Sequence, residues 1–291
     1  MTSKLLLQIA LLFVCSKIVC AQDYPATEIY MIDIQKTGNH FSLVDGARLI
    51  NVSNNKGYDN QPGFIEQLNS IAYVSSRDNK PTDVYLYDLS TGVSKQFTNN
   101  TEAEFSPKIT PDGKYISVVK GGEQNLTRIS LDGAVIEKLY TSKDSIGYYC
   151  WLNEDEIAAY VLSNPVILKL INIKSKTEQY LADSIGRSLY KYKDGVVICR
   201  MLHGGNEVVF ADLEGRYTEW IKLPASTEDF YLTDDGWLFS SDGSKLIYCN
   251  VKRLQEGWQQ LADLKGMGVS KIFRIAVNKK RNLLTFVTAE Q

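Results

Sequence analysis

Two stretches of this chain lie over one another without a gap at an offset of 45 residues. Asn54 and Asn55 fall on Asn99 and Asn100, Pro62 on Pro107, Phe64 on Ile109, Ile71 on Ile116, and Val74 on Val119. Self-similarity at a fixed period constrains a fold more than local propensity does, because one unit alone cannot bury its apolar face and must stack on the next. An alternating apolar strand carries the period further. Val84-Tyr85-Leu86-Tyr87-Asp88-Leu89 has relatives starting at Ile29, Leu126, Ile167, Val208 and Leu246, with successive spacings of 55, 42, 41, 41 and 38 residues. Between them stand Asp112-Gly113, Asp132-Gly133, Asp194-Gly195, Asp235-Gly236 and Asp242-Gly243. Asp-Gly between apolar strands favours a tight hairpin, whose turn needs positive φ.

Each period therefore holds four short strands; in the second unit they are predicted at Pro107–Thr110, Lys114–Val119, Asn125–Leu131 and Val135–Tyr140. Four antiparallel strands in a period of this length describe a β-propeller blade. Parallel α/β folds are excluded, since no amphipathic helix of crossover length separates the strands. Lys252–Lys265 comes closest to a helix, but Gly257 interrupts it and the period calls for an outer strand there. Complete units begin near Pro62, Pro107, Tyr148, Leu189 and Phe230. Two C-terminal strands, Phe273–Val277 and Leu283–Thr288, and two N-terminal ones, Glu28–Ile34 and Ala47–Val52, supply one more blade. The expectation is an all-β, six-bladed propeller over residues 22–291, its last blade closed by two strands from each end. The 55-residue spacing places an insertion within Gln35–Asp45.

Before the first strand, Lys4, the apolar run Leu5 to Val14 and the small-residue exit Val19-Cys20-Ala21 have the form of a secretory signal peptide cleaved after Ala21. Val14 and Val19 precede Cys15 and Cys20, so neither cysteine sits in a lipobox. Cleavage leaves 30 basic and 34 acidic side chains. That balance gives no basic footprint for nucleic acid, and no second stretch approaches membrane length. Cys150, Cys199 and Cys249 are odd in number and widely spaced, reading as small buried hydrophobes rather than a disulfide framework.

The segments Asp59-Asn60-Gln61-Pro62, Ser70 to Asp78, Asp83 to Leu89 and Gln96-Phe97-Thr98 resemble the PD40 (WD40-like) repeat of the TolB propeller family. Asn99-Asn100-Thr101-Glu102, Phe105-Ser106-Pro107 and Pro111-Asp112-Gly113-Lys114 resemble it again. The likeness is specific over Asn54–Leu131, with Gln67-Leu68 where the family carries Asp-Gly, and fainter over Tyr148–Leu246. It implies an exported setting, the bacterial periplasm or exterior. That family carries an α/β domain before its propeller; here Gln22–Thr27 leads straight into a strand, so no such domain is expected.

Chemistry is sparse. No Gly-x-Ser-x-Gly elbow occurs, and the two histidines, His40 and His203, both stand in turn-like contexts. Propellers bind ligands where the innermost strands begin, around the channel. Asp59 and Glu104 occupy equivalent positions there, with Asp144, Glu228 and Asp229 close to the corresponding places in later blades. Such acids either cap turns or converge on a cation or a basic segment of a partner. These five are the candidate partner-binding residues. The expected function is a non-enzymatic binding or scaffold protein, monomeric and without a cofactor, recognising a protein or peptide partner in the cell envelope. A metal-assisted, lactonase-like hydrolase holding calcium at the channel mouth is the first alternative. The second is a glycan- or peptide-sensing domain with Tyr148-Tyr149 and Tyr190/Tyr192 as an aromatic platform.

Overall fold

A computed structural model describes residues 24–290 except 79 and 123; the signal-peptide reading lies outside the described residues. The strands form six antiparallel blades. Blade one runs from the innermost strand Tyr58–Ile65 through Ser70–Ser76 and Asp83–Asp88 to the outer Val93–Gln96. Blades two to five repeat this order from innermost strands Glu104–Ile109, Ile146–Trp151, Ile185–Tyr192 and Phe230–Leu232. Blade six is composite. Phe273–Val277 and Leu283–Ala289 come from the C-terminal end, Thr27–Thr37 and the short Ile50–Asn51 from the N-terminal end. Thr27–Asp33 runs antiparallel to Leu283–Ala289 in continuous register, closing the blade two strands plus two.

Burial follows from this stacking. The second strands read as unbroken apolar runs, such as Ile71–Val74 and Val196–Cys199, because both faces of each blade are covered by neighbouring blades. Outer strands such as Tyr217–Lys222 and Val93–Gln96 are mostly exposed. The buried side chains fall into six clusters, each shared by adjacent blades. Ile65, Ala72 and Val84 of blade one meet Ile116, Val118 and Ile129 of blade two. Ile29, Met31 and Val287 of blade six meet Ile71, Tyr73 and Tyr85 of blade one. The three cysteines lie buried and free, and burial pushes each thiol up to about 12.

Two details differ from the sequence reading. In blades one and two the innermost strands start at Tyr58 and Glu104, upstream of the prolines where the strands were expected to begin. A proline reads as a strand start because it cannot donate to the ladder, but Pro62 and Pro107 sit inside β-bulges, where no such donation is required. The predicted insertion is a hairpin: Ile34–Thr37 pairs with His40–Leu43. It is stapled to blade five by Phe41, whose ring meets Trp237, Phe239 and Tyr248 edge-on, with centroids 5.0, 4.9 and 5.1 Å away. Lys252–Lys265 holds one short 3₁₀ turn, Leu254–Glu256, before the outer strand Gln259–Asp263.

Phe41 is 3% exposed, so truncation leaves a cavity between the closing blade and its neighbour. Phe41→Ala is expected to cost about 3 kcal/mol or more in chemical denaturation. A loss under about 1 kcal/mol would show that the hairpin is a passive insertion.

Candidate functional site

Five of the six innermost strands carry a bulge near their beginning. The register slips between Asn60 and Gly63, Phe105 and Lys108, Ile146 and Tyr148, Ile185 and Leu189, and Phe273 and Ile275. A bulge leaves residues unpaired and re-aims their side chains, and Gln61, Ser106 and Arg274 accordingly take positive φ of 58°, 54° and 40°. These residues hydrogen-bond from blade to blade at the repeat spacing. The Ser106 N–H donates to Gln61 Oε1 and the Ser106 hydroxyl to the Gly147 carbonyl, across 45 and 41 residues. Arg187 donates Nε and Nη2 to the two Asp229 carboxyl oxygens at 2.8 and 2.6 Å, 42 residues apart. The Arg274 N–H donates to Asp229 Oδ2 across 45. Gln61, Ser106, Gly147, Arg187, Asp229 and Arg274 thus form a ring with one position per blade.

The ring is polar and neutral over blades one to three and charged over blades four to six. Asp229 is 3% exposed and shared by both arginines. Burial raises its carboxyl, but the Arg187 hydrogen bonds and the charges of Arg274 and Arg187 outweigh that and hold it below the ordinary carboxylate value. Arg274 also reaches across the channel: Nη2 donates to Tyr148 Oη at 2.8 Å, and the guanidinium lies 4.6 Å from that ring's centroid. Tyr148 belongs to blade three and Arg274 to blade six, which stand opposite in a six-membered ring. The contact is therefore a strut across the channel.

Around this strut lies a cavity of about 300 Å³. Its lining includes Lys108, Arg187 and Arg274, the aromatic side chains Tyr148, Tyr190 and Tyr231, and no carboxylate. Lys108 stands just past the blade-two bulge, opposite Ser117 on the next strand; the corresponding blade-one residue, opposite Ala72, is Gly63, which leaves room beside it. Burial pulls the Lys108 ammonium below its ordinary value, and the charge of Arg274 adds to that shift.

The five sequence-derived candidates take different places. Asp229 and, through a 3.4 Å ion pair, Glu228 brace Arg187 from behind the lining. Asp144 is exposed and pairs with Lys169, which also binds Glu178. Asp59 and Glu104 are equivalent, as their spacing implies, but fully buried beneath the loops rather than on the lining. Each accepts from an asparagine four residues earlier, Asn55 or Asn100; Glu104 also accepts from Thr98 and lies 3.6 Å from Lys120. Burial pushes the Asp59 carboxyl up to about 6, against hydrogen bonds from Ser75 and Asn55. Lys108, Arg187 and Arg274 were not read as functional. Arg187 and Arg274 stand one repeat before and after Asp229, a signal that emerges only once the bulge register is known. His203 lies in the exposed turn between Arg200 and Glu207, and His40, also exposed, begins the second strand of the stapling hairpin. Among the described residues no group of three or more His, Cys, Asp or Glu side chains is placed to hold a metal ion, and no helix is long and apolar enough to cross a membrane.

Similar folds occur among solved structures. Over 93% of this chain it matches TolB from Acinetobacter baumannii at 13% identity with a TM-score of 0.57, spanning 65% of that protein's length. A gluconolactonase from Xanthomonas campestris matches at 12% identity and TM-score 0.64, covering 92% of this chain and 99% of the other. A TolB-type protein from Agrobacterium tumefaciens matches at 10% identity and TM-score 0.63, with the same coverage. These likenesses carry the propeller fold alone, since one fold hosts binding proteins and enzymes alike. No protein-family model and no curated protein matches the chain.

Asp59 offers a test of its buried role. At pH values below the ordinary 3.8 the proton is bound in both folded and unfolded chains. Between 3.8 and about 6 only the unfolded chain ionises, so folding loses stability as pH rises. The penalty above that window is on the order of 3 kcal/mol. Asp59→Asn is expected to flatten this part of the pH dependence. Equal differences in unfolding free energy between pH 4 and pH 7 for both proteins, to within about 0.5 kcal/mol, would rule it out.

Proposed function

We propose that this chain is an exported, non-enzymatic binding propeller of the bacterial envelope or exterior, monomeric and built on TolB-like PD40 repeats. It recognises a protein or peptide partner at the end of the channel where the innermost strands begin. The observation that carries this reading is the ring itself. Arg187, Asp229, Arg274 and Tyr148 link blades three to six through charge-assisted hydrogen bonds and hold the cavity wall open and rigid before any ligand arrives. A preformed concavity with few polar groups on a rigid scaffold is the usual form of a recognition site. In this reading Glu228 and Asp229 act by positioning Arg187, and Asp144 lies on the surrounding loop surface.

Photo-crosslinking in cells secreting the full chain separates the faces. A benzoylphenylalanine at Lys143 or Lys271, exposed beside the innermost strands of blades three and six, is expected to give a discrete adduct. The same group at Asp112, on the opposite face, or at Ile136 or Tyr180, on exposed outer strands, is expected to give none. Adducts confined to the outer strands would replace this reading with strand addition at the rim.

A further inference from the structure

Among the described residues lining the cavity, Lys108 is the cation with no ion pair or side-chain hydrogen bond of its own. Arg187 is committed to Asp229 and Glu228, and Arg274 to Asp229 and Tyr148. Among the described residues no carboxylate lines the cavity. Burial and Arg274 both oppose the charge on Lys108, and Cys150, which its own burial holds as a neutral thiol, supplies no counter-charge. A desolvated ammonium beside the Arg274 guanidinium is costly to keep, and a methionine of similar length would fill the same space without that cost. The lining also carries several aromatic rings, among them Tyr148, Trp151, Tyr190, Phe230 and Tyr231. Tyr190 packs edge-on to Tyr231 at 5.3 Å and tilted against Phe230 at 5.4 Å, and Trp151 donates its indole N–H to Ser117. Those contacts fix the rings and present flat apolar walls. The cavity, about 300 Å³, admits one ring-bearing group and not a folded surface.

We propose that this cavity is a carboxylate pocket: it takes an acid group carried on a flat apolar body, such as the C-terminal aromatic residue of a peptide, with Lys108 as its principal ionic contact and Arg274 as the second. The assignment deepens the reading that a partner engages this end of the channel. A carboxylate there reverses both unfavourable effects on Lys108, supplying a counter-charge in place of lost water and offsetting Arg274. The strut to Tyr148 keeps Arg274 extended across the channel toward blade three, next to the blade that carries Lys108, so the acid group meets two cations supplied by different blades.

The test uses the mature chain and four probes: N-acetyl-phenylalanine and N-acetyl-Ala-Ala-Phe, each as the free acid and as the C-terminal amide. Calorimetry or ligand-observed NMR is expected to show each bound acid about ten-fold or more tighter than its amide. Binding of both acids identifies a pocket open to chain ends, whereas binding of N-acetyl-phenylalanine alone identifies one for small free acids. Lys108→Met is expected to melt at or above the parent temperature and to lose the preference for acid over amide; Lys108→Arg is expected to keep it. Equal binding of acid and amide, binding of neither acid, or an undiminished acid preference in Lys108→Met would overturn the assignment. The crosslinking result is independent. An adduct at Lys143 that persists in Lys108→Met, with no acid preference, leaves the partner reading standing without this pocket. Acid binding without any adduct leaves the pocket standing without a protein partner.

Discussion

The antiparallel register between Thr27–Asp33 and Leu283–Ala289 holds the two ends of the chain in one blade, and the closed ring depends on it. Every other blade is a local meander that forms from consecutive sequence. This pairing joins positions 250 to 262 apart, and beside it the Thr285 hydroxyl donates to the Tyr30 carbonyl. Without it the N-terminal strand Thr27–Thr37 and the C-terminal strand pair would each present an unpaired edge. With it, each of the six apolar clusters gains a blade on both sides, and the stapling hairpin around Phe41 adds a second attachment between blade six and blade five. Closing so long a loop is costly in entropy, and the cost is met by a continuous ladder backed by Ile29, Ile32, Phe286 and Val287, all fully buried.

Closure also sets the geometry of the channel. Six innermost strands arranged around one axis bring residues about one repeat apart in sequence within hydrogen-bond reach. This is why the separations of 45, 41, 42 and 45 between ring partners reproduce the spacing of the blades. The bulges then decide what those positions present. Where the extra residue is glutamine or serine the ring is neutral, and where arginine and aspartate alternate it becomes a charged lattice that stiffens itself. Positive φ at Arg274 is unfavourable for a side chain with a Cβ. The Asp229 hydrogen bond to its N–H and the strut to Tyr148 offset that strain.

The same alternation explains why buried acids and channel cations separate. Asp59 and Glu104 stand two residues before the bulge residues Gln61 and Ser106, on backbone that pairs regularly with the second strand. Their side chains turn beneath the loops, to Asn55 and Asn100. Lys108 stands just past the bulge and lines the channel. A shift of a few positions along one strand therefore separates a structural carboxylate from an ammonium on the cavity wall.

From the sequence alone, the 45-residue offset, the Asp-Gly turns and the paired N- and C-terminal strands were enough to determine an all-β propeller, its six blades and its composite closure. Those features are periodic, and a period survives as a pattern of residue types whatever the tertiary detail. The equivalence of Asp59 and Glu104 was legible for the same reason. What they face was not, because a β-bulge inserts a residue into one strand without leaving a consistent mark in composition: Pro62 and Pro107 mark two of the bulges, Gly147 a third, and nothing marks that before Ile275. One inserted residue reverses the face on which every following side chain emerges. Tertiary structure alone thus decided that Arg187, Arg274 and Lys108 line the channel while Asp229 stands behind two of them, since that outcome depends on register summed around a closed ring.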